Sequence, residues 1–187
     1  MSQELYISVD VETSGAIPGK YSMLSLGACV VGSPERGFYA ELRPVTSNFD
    51  PQAMKVSRLD MEKLKTDGKP AGEVMAAFED WIQSEAKGKK PVFVGFNACF
   101  DWQFVNWYFH TFLGENPFGF SGIDIKAYFM GLSGCLWSKT TSSRLPPEFQ
   151  PDVPQTHNAL DDARAQASIF EKLLARNLIE NPEDSSE

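Results

Sequence analysis

Two carboxylates stand one residue apart near the start of the chain, in the run Leu5-Tyr6-Ile7-Ser8-Val9-Asp10-Val11-Glu12. Leu5, Ile7, Val9 and Val11 alternate with Tyr6, Ser8, Asp10 and Glu12, a period of two that predicts a strand over residues 3–12. On such a strand Asp10 and Glu12 share a face, about 7 Å apart. Two like charges in a largely apolar strand repel each other and resist desolvation. A cation between them relieves both penalties, and carboxylate oxygens suit hard divalent ions such as Mg²⁺. The pair therefore calls for further ligands elsewhere in the chain.

Three other places carry reactive residue types. In Phe96-Asn97-Ala98-Cys99-Phe100-Asp101, Asn97 is placed to cap a helix and Asp101 falls in its first turn. That acid either complements the helix dipole or points over the sheet end toward Asp10. In Thr156-His157-Asn158-Ala159-Leu160-Asp161-Asp162-Ala163, His157 stands just before a final helix that Asn158 caps, with Asp161 and Asp162 in the first turn. Asp124 reads as a helix cap at the end of a short strand, and His110 has no evident role.

The segments Asp10-Val11-Glu12, Asn97-Ala98-Cys99-Phe100-Asp101 and His157-Asn158-Ala159-Leu160-Asp161-Asp162-Ala163 together resemble the three exonuclease motifs of the DEDDh group. This group lies within the RNase H-like superfamily and includes the proofreading subunit of bacterial DNA polymerase III, RNase T and oligoribonuclease. The resemblance spans residues 5 to about 174. It implies that Asp10, Glu12, Asp101 and Asp162 bind two Mg²⁺ or Mn²⁺ ions and that His157 is the general base. It selects Asp162 over Asp161. Neighbouring helix residues are about 100° apart around the axis, so both cannot face one metal equally.

Phosphodiester hydrolysis explains these residue types. The diester repels an attacking hydroxide and leaves as a poor alkoxide, and two divalent ions about 3.5–4 Å apart can assist both sides of the displacement. A neutral histidine can take a proton from water near physiological pH. The resemblance implies 3′→5′ polarity, release of nucleoside 5′-monophosphates, and reception of the terminal nucleotide just after the first motif, at Thr13, Ser14 and Gly15. Asn97 and Trp102 are further candidates for substrate contact, Trp102 because it lies off the core row Phe100, Phe104, Tyr108, Phe112. Lys139 and Arg144 are candidate phosphate contacts. Single-stranded DNA, RNA and short oligonucleotides all remain open as substrates. A fold retained only for nucleic-acid or protein binding is the alternative, although none of the five motif residues is substituted. Relatives of this group are often homodimers; the chain itself carries no readable dimer signal.

The elements that must position these groups can be read along the chain. Strands are expected at 3–12, 22–31 and 37–42 as an antiparallel meander. Short helical pieces follow over 51–65, a helix from Ala71 to Ala86, and a buried strand from Pro91 to Phe96. A helix from Asn97 to about Leu113 leads to a short strand Gly122 to Asp124, a helix over 125–132, a long Ser/Thr/Pro-rich loop over 133–156, and a last helix from Asn158 to Leu178. Between Ser138 and Gln155 the chain has Pro146, Pro147, Pro151 and Pro154 where many members of the group have a helical segment. The order predicts an α/β, RNase H-like fold: a mixed five-stranded sheet flanked by helices.

The chain has 187 residues, enough for one domain with a substantial core. Residues 1–178 are expected to form that domain and 179–187 a disordered acidic tail. A net charge of −8 argues against broad electrostatic binding of long duplexes. Bound cations reverse the sign locally, so short or single strands stay compatible. No run approaches the length of a membrane span and no secretory signal is visible, while Cys29, Cys99 and Cys135 read as reduced thiols. A cytoplasmic protein is expected.

Overall fold

The structure is a computed structural model that describes residues 3–154 and 156–180. Strands β1 (Glu4–Thr13), β2 (Met23–Val30) and β3 (Ser33–Glu41) form the antiparallel meander, and β4 (Lys90–Gly95) and β5 (Gly122–Asp124) extend the sheet in parallel. The five strands lie in the order β3-β2-β1-β4-β5, an RNase H-like α/β sheet. Helices α1 (Pro51–Ser57), α2 (Met61–Asp67) and α3 (Ala71–Ala86) connect β3 to β4. Helix α4 (Cys99–Phe112) connects β4 to β5, and α5 (Ile125–Ser133) and α6 (Ala159–Glu180) follow. Among the described residues no helix is long and apolar enough to cross a membrane.

The period-two pattern of β1 divides the core. Ile7, Val9 and Val11 face the layer of α3 and α4, packing with Val74, Phe78, Phe104 and Tyr108. The alternate residues face the opposite layer, where Tyr6 meets Phe170 of α6 edge-on. Asp10 and Glu12 belong to that second set, so α6 covers the face on which they stand. Every residue of β2 is buried, as a strand covered on both sides requires.

Gly27 lets α6 approach. It pairs with Asp10 across β1 and β2. A Cβ there would lie 2.1 Å from the Ala159 carbonyl carbon. The first residues of α6 thus rest directly on the strand beside Asp10.

Several boundaries differ from the sequence expectation. The third strand begins at Ser33 rather than Gly37 and includes Pro34. A proline is tolerated there because β3 is an edge strand. Gly32, with φ +80°, makes the preceding turn. Asn97 does not cap α4: it adopts a left-handed conformation (φ 64°), and Ala98 precedes the helix without a side-chain cap bond. Asp124 takes on two tasks, accepting from Ala127 N to cap α5 and from Ala98 N at 2.7 Å.

The expected long loop contains three single-turn 3₁₀ helices, at Trp137–Lys139, Ser142–Arg144 and Pro147–Phe149. Phe149 packs on Phe129, and Lys172 of α6 donates to Gln150 O and pairs with Asp152 at 2.6 Å. Helix α6 continues through Ile179 and Glu180, and the rest of the expected tail lies outside the described residues.

Candidate active site

Three elements bring the acids together. Strand β1 supplies Asp10 and Glu12. It pairs with β4 only as far as Ser8 and Val94, which leaves the backbone N–H of Val11 free on that side. Asp101, in the first turn of α4, accepts that N–H through Oδ1 at 3.0 Å. Its carboxylate therefore reaches β1 between Asp10 and Glu12, the second of the two orientations open from the sequence.

Asp162 comes from the first turn of α6. It is 6% exposed and accepts Thr156 N (2.7 Å) and His157 N (3.2 Å). Those two bonds curl the chain before α6, and His157 takes a left-handed conformation (φ 61°). Asn158 caps the helix through Leu160 N and Asp161 N. One donor atom from each of Glu12, His157 and Asp162 lies within 4.8 Å of the others, with His157 exposed. Asp161 turns elsewhere, accepting from Thr156 Oγ1 and pairing with Arg164.

The electrostatics of the cluster are those of crowded acids. Burial first, then the charges of Asp101, Glu12 and Asp162, push Asp10 well above the ordinary carboxylate range. Burial and the Asp162 charge raise Glu12 to about 7. Burial raises Asp101 to about 8 against the lowering effect of its backbone bonds, with Glu12 and Asp124 adding repulsion. Four carboxylates in one place are unfavourable as bare anions, and hard oxygen donors of this number suit divalent cations. The residues present thus fit the Mg²⁺ or Mn²⁺ that the chain's resemblance implies.

A cleft of about 370 Å³ opens beside the acids. Glu12, Thr13 and Gly15 line one side, α1 contributes Gln52, Ala53 and Val56, and Phe100 closes the α4 side. A Cβ at Gly15 would come within 2.4 Å of the Tyr21 ring, so glycine is what allows this wall to form. Ser14 does not enter the cleft. Its side chain is fully buried, donating to Asn48 O and accepting from Ser22 N, which ties the loop after β1 to the loop before α1.

Of the remaining candidates, Trp102 packs at the core edge, edge-on to Phe93. Its position in the first turn of α4 turns it back onto the sheet. Phe100, read from the sequence as core, packs against the core beside Phe104 and also lines the cleft, while Phe104 and Tyr108 are fully buried. Asn97 is exposed beside α5, where its Oδ1 accepts Lys126 Nζ at 3.2 Å. Arg144 donates within its own loop, to Ser138 O.

The sequence reading missed Gln166. This residue is 2% exposed and uses both ends of its carboxamide, donating to Asp10 Oδ1 at 2.6 Å and accepting Phe96 N at 2.8 Å. The available signal is its spacing: it follows Asp162 by four residues, one helical turn, among alanines on a buried face.

Acids gathered at the ends of β1, α4 and α6, on a sheet of this order, define the protein as an RNase H-like nuclease of the DEDDh type. Residues 7–170 match the RNase T family model, described as exonuclease, and the chain belongs to that family of enzymes. It is 49% identical over 169 residues to the 3′-5′ DNA exonuclease Cap18 of Escherichia coli, an overlap of 90% of each chain. The fold resembles the nuclease domain of 3′hExo, a DEDDh family member bound to rAMP, with TM-score 0.73, 14% identity and 92% of each chain covered. It also resembles E. coli Exonuclease I in complex with a dA16 oligonucleotide, with TM-score 0.68 and 14% identity over 95% of this chain and 42% of that one.

Proposed function

We propose that this exonuclease removes nucleoside 5′-monophosphates from the 3′ end of single-stranded DNA, using two divalent cations and His157 as general base. The observation that carries this reading is the convergence of Asp10, Glu12, Asp101, Asp162 and His157 from three elements at one side of a nucleotide-sized cleft. DNA is favoured by the name of the relative that shares 49% identity over nearly the whole chain.

Asp10, Glu12, Asp101 and Asp162 would hold the ions. When bound, the cations supply positive charge that offsets the phosphate and lowers the cost of activating water and expelling the alkoxide. The residues of the chain do the rest. Phe100, Val56, Ala53 and Tyr21 give the terminal sugar and base apolar walls, and Gln52 and Thr13 add polar groups. Asp162 holds the backbone of His157 and so sets where the imidazole stands. In this reading a ring nitrogen of His157 takes the proton of the attacking water.

The test uses single-stranded DNA labelled at the 5′ end, incubated with Mg²⁺, Mn²⁺ or EDTA, with the products resolved by length. A metal-dependent ladder shortening from the 3′ end with release of 5′-monophosphates supports the proposal. Internal cuts or 3′-phosphate products contradict it.

A further inference from the structure

One group of side chains beside the acids has no part in holding them. Lys126 is the second residue of α5, and the acid at that helix start, the N-cap Asp124, gives its carboxylate oxygens to Ala127 N and Ala98 N. A cation at a helix start is opposed by the dipole. Its amino group is nevertheless held in place. It donates to Asn97 Oδ1 at 3.2 Å and lies 4.2 Å from the centre of the Trp137 ring. Trp137 is half exposed, and its neighbour Leu136 is 73% exposed.

The group is continuous with the acidic cluster. Phe96 N, just before Asn97, is bonded to the same Gln166 that holds Asp10. Ala98 N, just after it, is bonded to Asp124, two residues before Lys126. Sheet order gives the direction. The cleft lies at the end of β1 against α1, whereas Lys126 and Trp137 lie beyond β4, next to β5. A strand with its last nucleotide in the cleft and its scissile phosphate over the acids would leave across β4 and β5, past these two residues.

We propose that Lys126 and Trp137 form the binding edge for the nucleotides upstream of the scissile bond, with Lys126 contacting a backbone phosphate and Trp137 stacking on a base. The ligand is a single strand, because stacking on an exposed ring needs an unpaired base. The arrangement rests on the single-strand exonuclease reading above and adds to it the route of the substrate. It also answers the charge problem of a chain with net −8: a cation stands where a polyanion must pass.

Binding separates this proposal from the catalytic one. A 5′-fluorescein oligothymidylate of about ten nucleotides is titrated with protein in Ca²⁺ and followed by anisotropy, with thymidine 5′-monophosphate binding measured in parallel. Lys126→Ala and Trp137→Ala should each weaken oligonucleotide binding about tenfold and leave the mononucleotide unchanged. Trp137→Phe should restore most of the affinity. The salt dependence of Lys126→Ala should be shallower by about 0.7 in log–log slope. Wild-type affinity in both alanine variants, no oligonucleotide binding by the wild type, or equal loss for the mononucleotide would overturn the proposal. If the variants bind as wild type while the wild type degrades DNA, this edge is wrong and the exonuclease reading stands. If binding weakens as expected but no nucleotide is released, the edge stands and the catalytic reading fails.

Discussion

Gln166 of α6 and Asp10 of β1 share a 2.6 Å hydrogen bond between the helix and the sheet face it covers, and the other end of the same carboxamide holds the backbone of Phe96 just before α4. One side chain thereby links all three elements that carry the acids. Replacing it with leucine leaves a buried N–H without a partner and frees the Asp10 carboxylate to rotate. Gln166→Leu should cost about 1–3 kcal/mol of stability and raise the Mg²⁺ concentration needed for half-maximal activity by about 10–100-fold. Urea denaturation and a Mg²⁺ titration of turnover check the two effects, and Gln166→Glu should not restore metal affinity by geometry alone, since it removes the donor to Asp10.

Gly27 sets how closely α6 lies on the sheet. A Cβ 2.1 Å from the Ala159 backbone has no flexible neighbour to displace. Gly27→Ala should therefore destabilise the fold by about 1–3 kcal/mol or more, read as a lower urea midpoint. It should also reduce activity beyond what the loss of folded protein explains, because Asp162 and His157 move with the helix.

The crowded acids make stability depend on pH in a definite sense. Glu12 and Asp101 are raised to about 7 and about 8, so the folded protein holds their protons more tightly than the unfolded chain does. Their contribution is intact below the ordinary carboxylate range near pH 4 and is lost as pH rises through 7 and 8. Without metal, the thermal midpoint should fall between about pH 5 and pH 8.5 by this route. Millimolar Mg²⁺ or Mn²⁺ should recover it at the upper end and do little at the lower, which differential scanning calorimetry can follow.

His157 stands at the exposed rim of the cluster, held through its backbone by Asp162. His157→Ala should lower kcat by about 10²–10⁴-fold while Mn²⁺ still binds and still raises the thermal midpoint. Loss of metal binding in this variant would assign His157 to the metal site instead of proton transfer.

What the sequence revealed, and what it hid, follows from the range of the interactions. The pairing of Asp10 with Glu12 is written in period-two alternation, a local property. The choice of Asp162 over Asp161 needed helix geometry and a family resemblance, and the structure shows Asp161 turned to Thr156 and Arg164. The orientation of Asp101 was open because it depends on where β4 stops and leaves Val11 N free. The cleft was less legible still. Its α1 wall is brought to Gly15 by contacts such as Asp50 N to Ser14 O, across 36 residues of chain that no local pattern predicts. Ser14 looked like a substrate contact because it follows the motif; tertiary hydrogen bonds to Asn48 and Ser22 consume it.

The central claim, that the acids of β1, α4 and α6 form one metal-dependent centre acting from the 3′ end, is tested most directly by Asp10→Asn. This change keeps the side chain's size and an acceptor for Gln166. Wild-type protein and the variant are given the same 5′-labelled single-stranded DNA in Mg²⁺, with circular dichroism showing both folded. The expected result is a descending ladder for the wild type, abolished by EDTA, and an uncut strand for Asp10→Asn. A ladder of equal rate from the folded variant would contradict it.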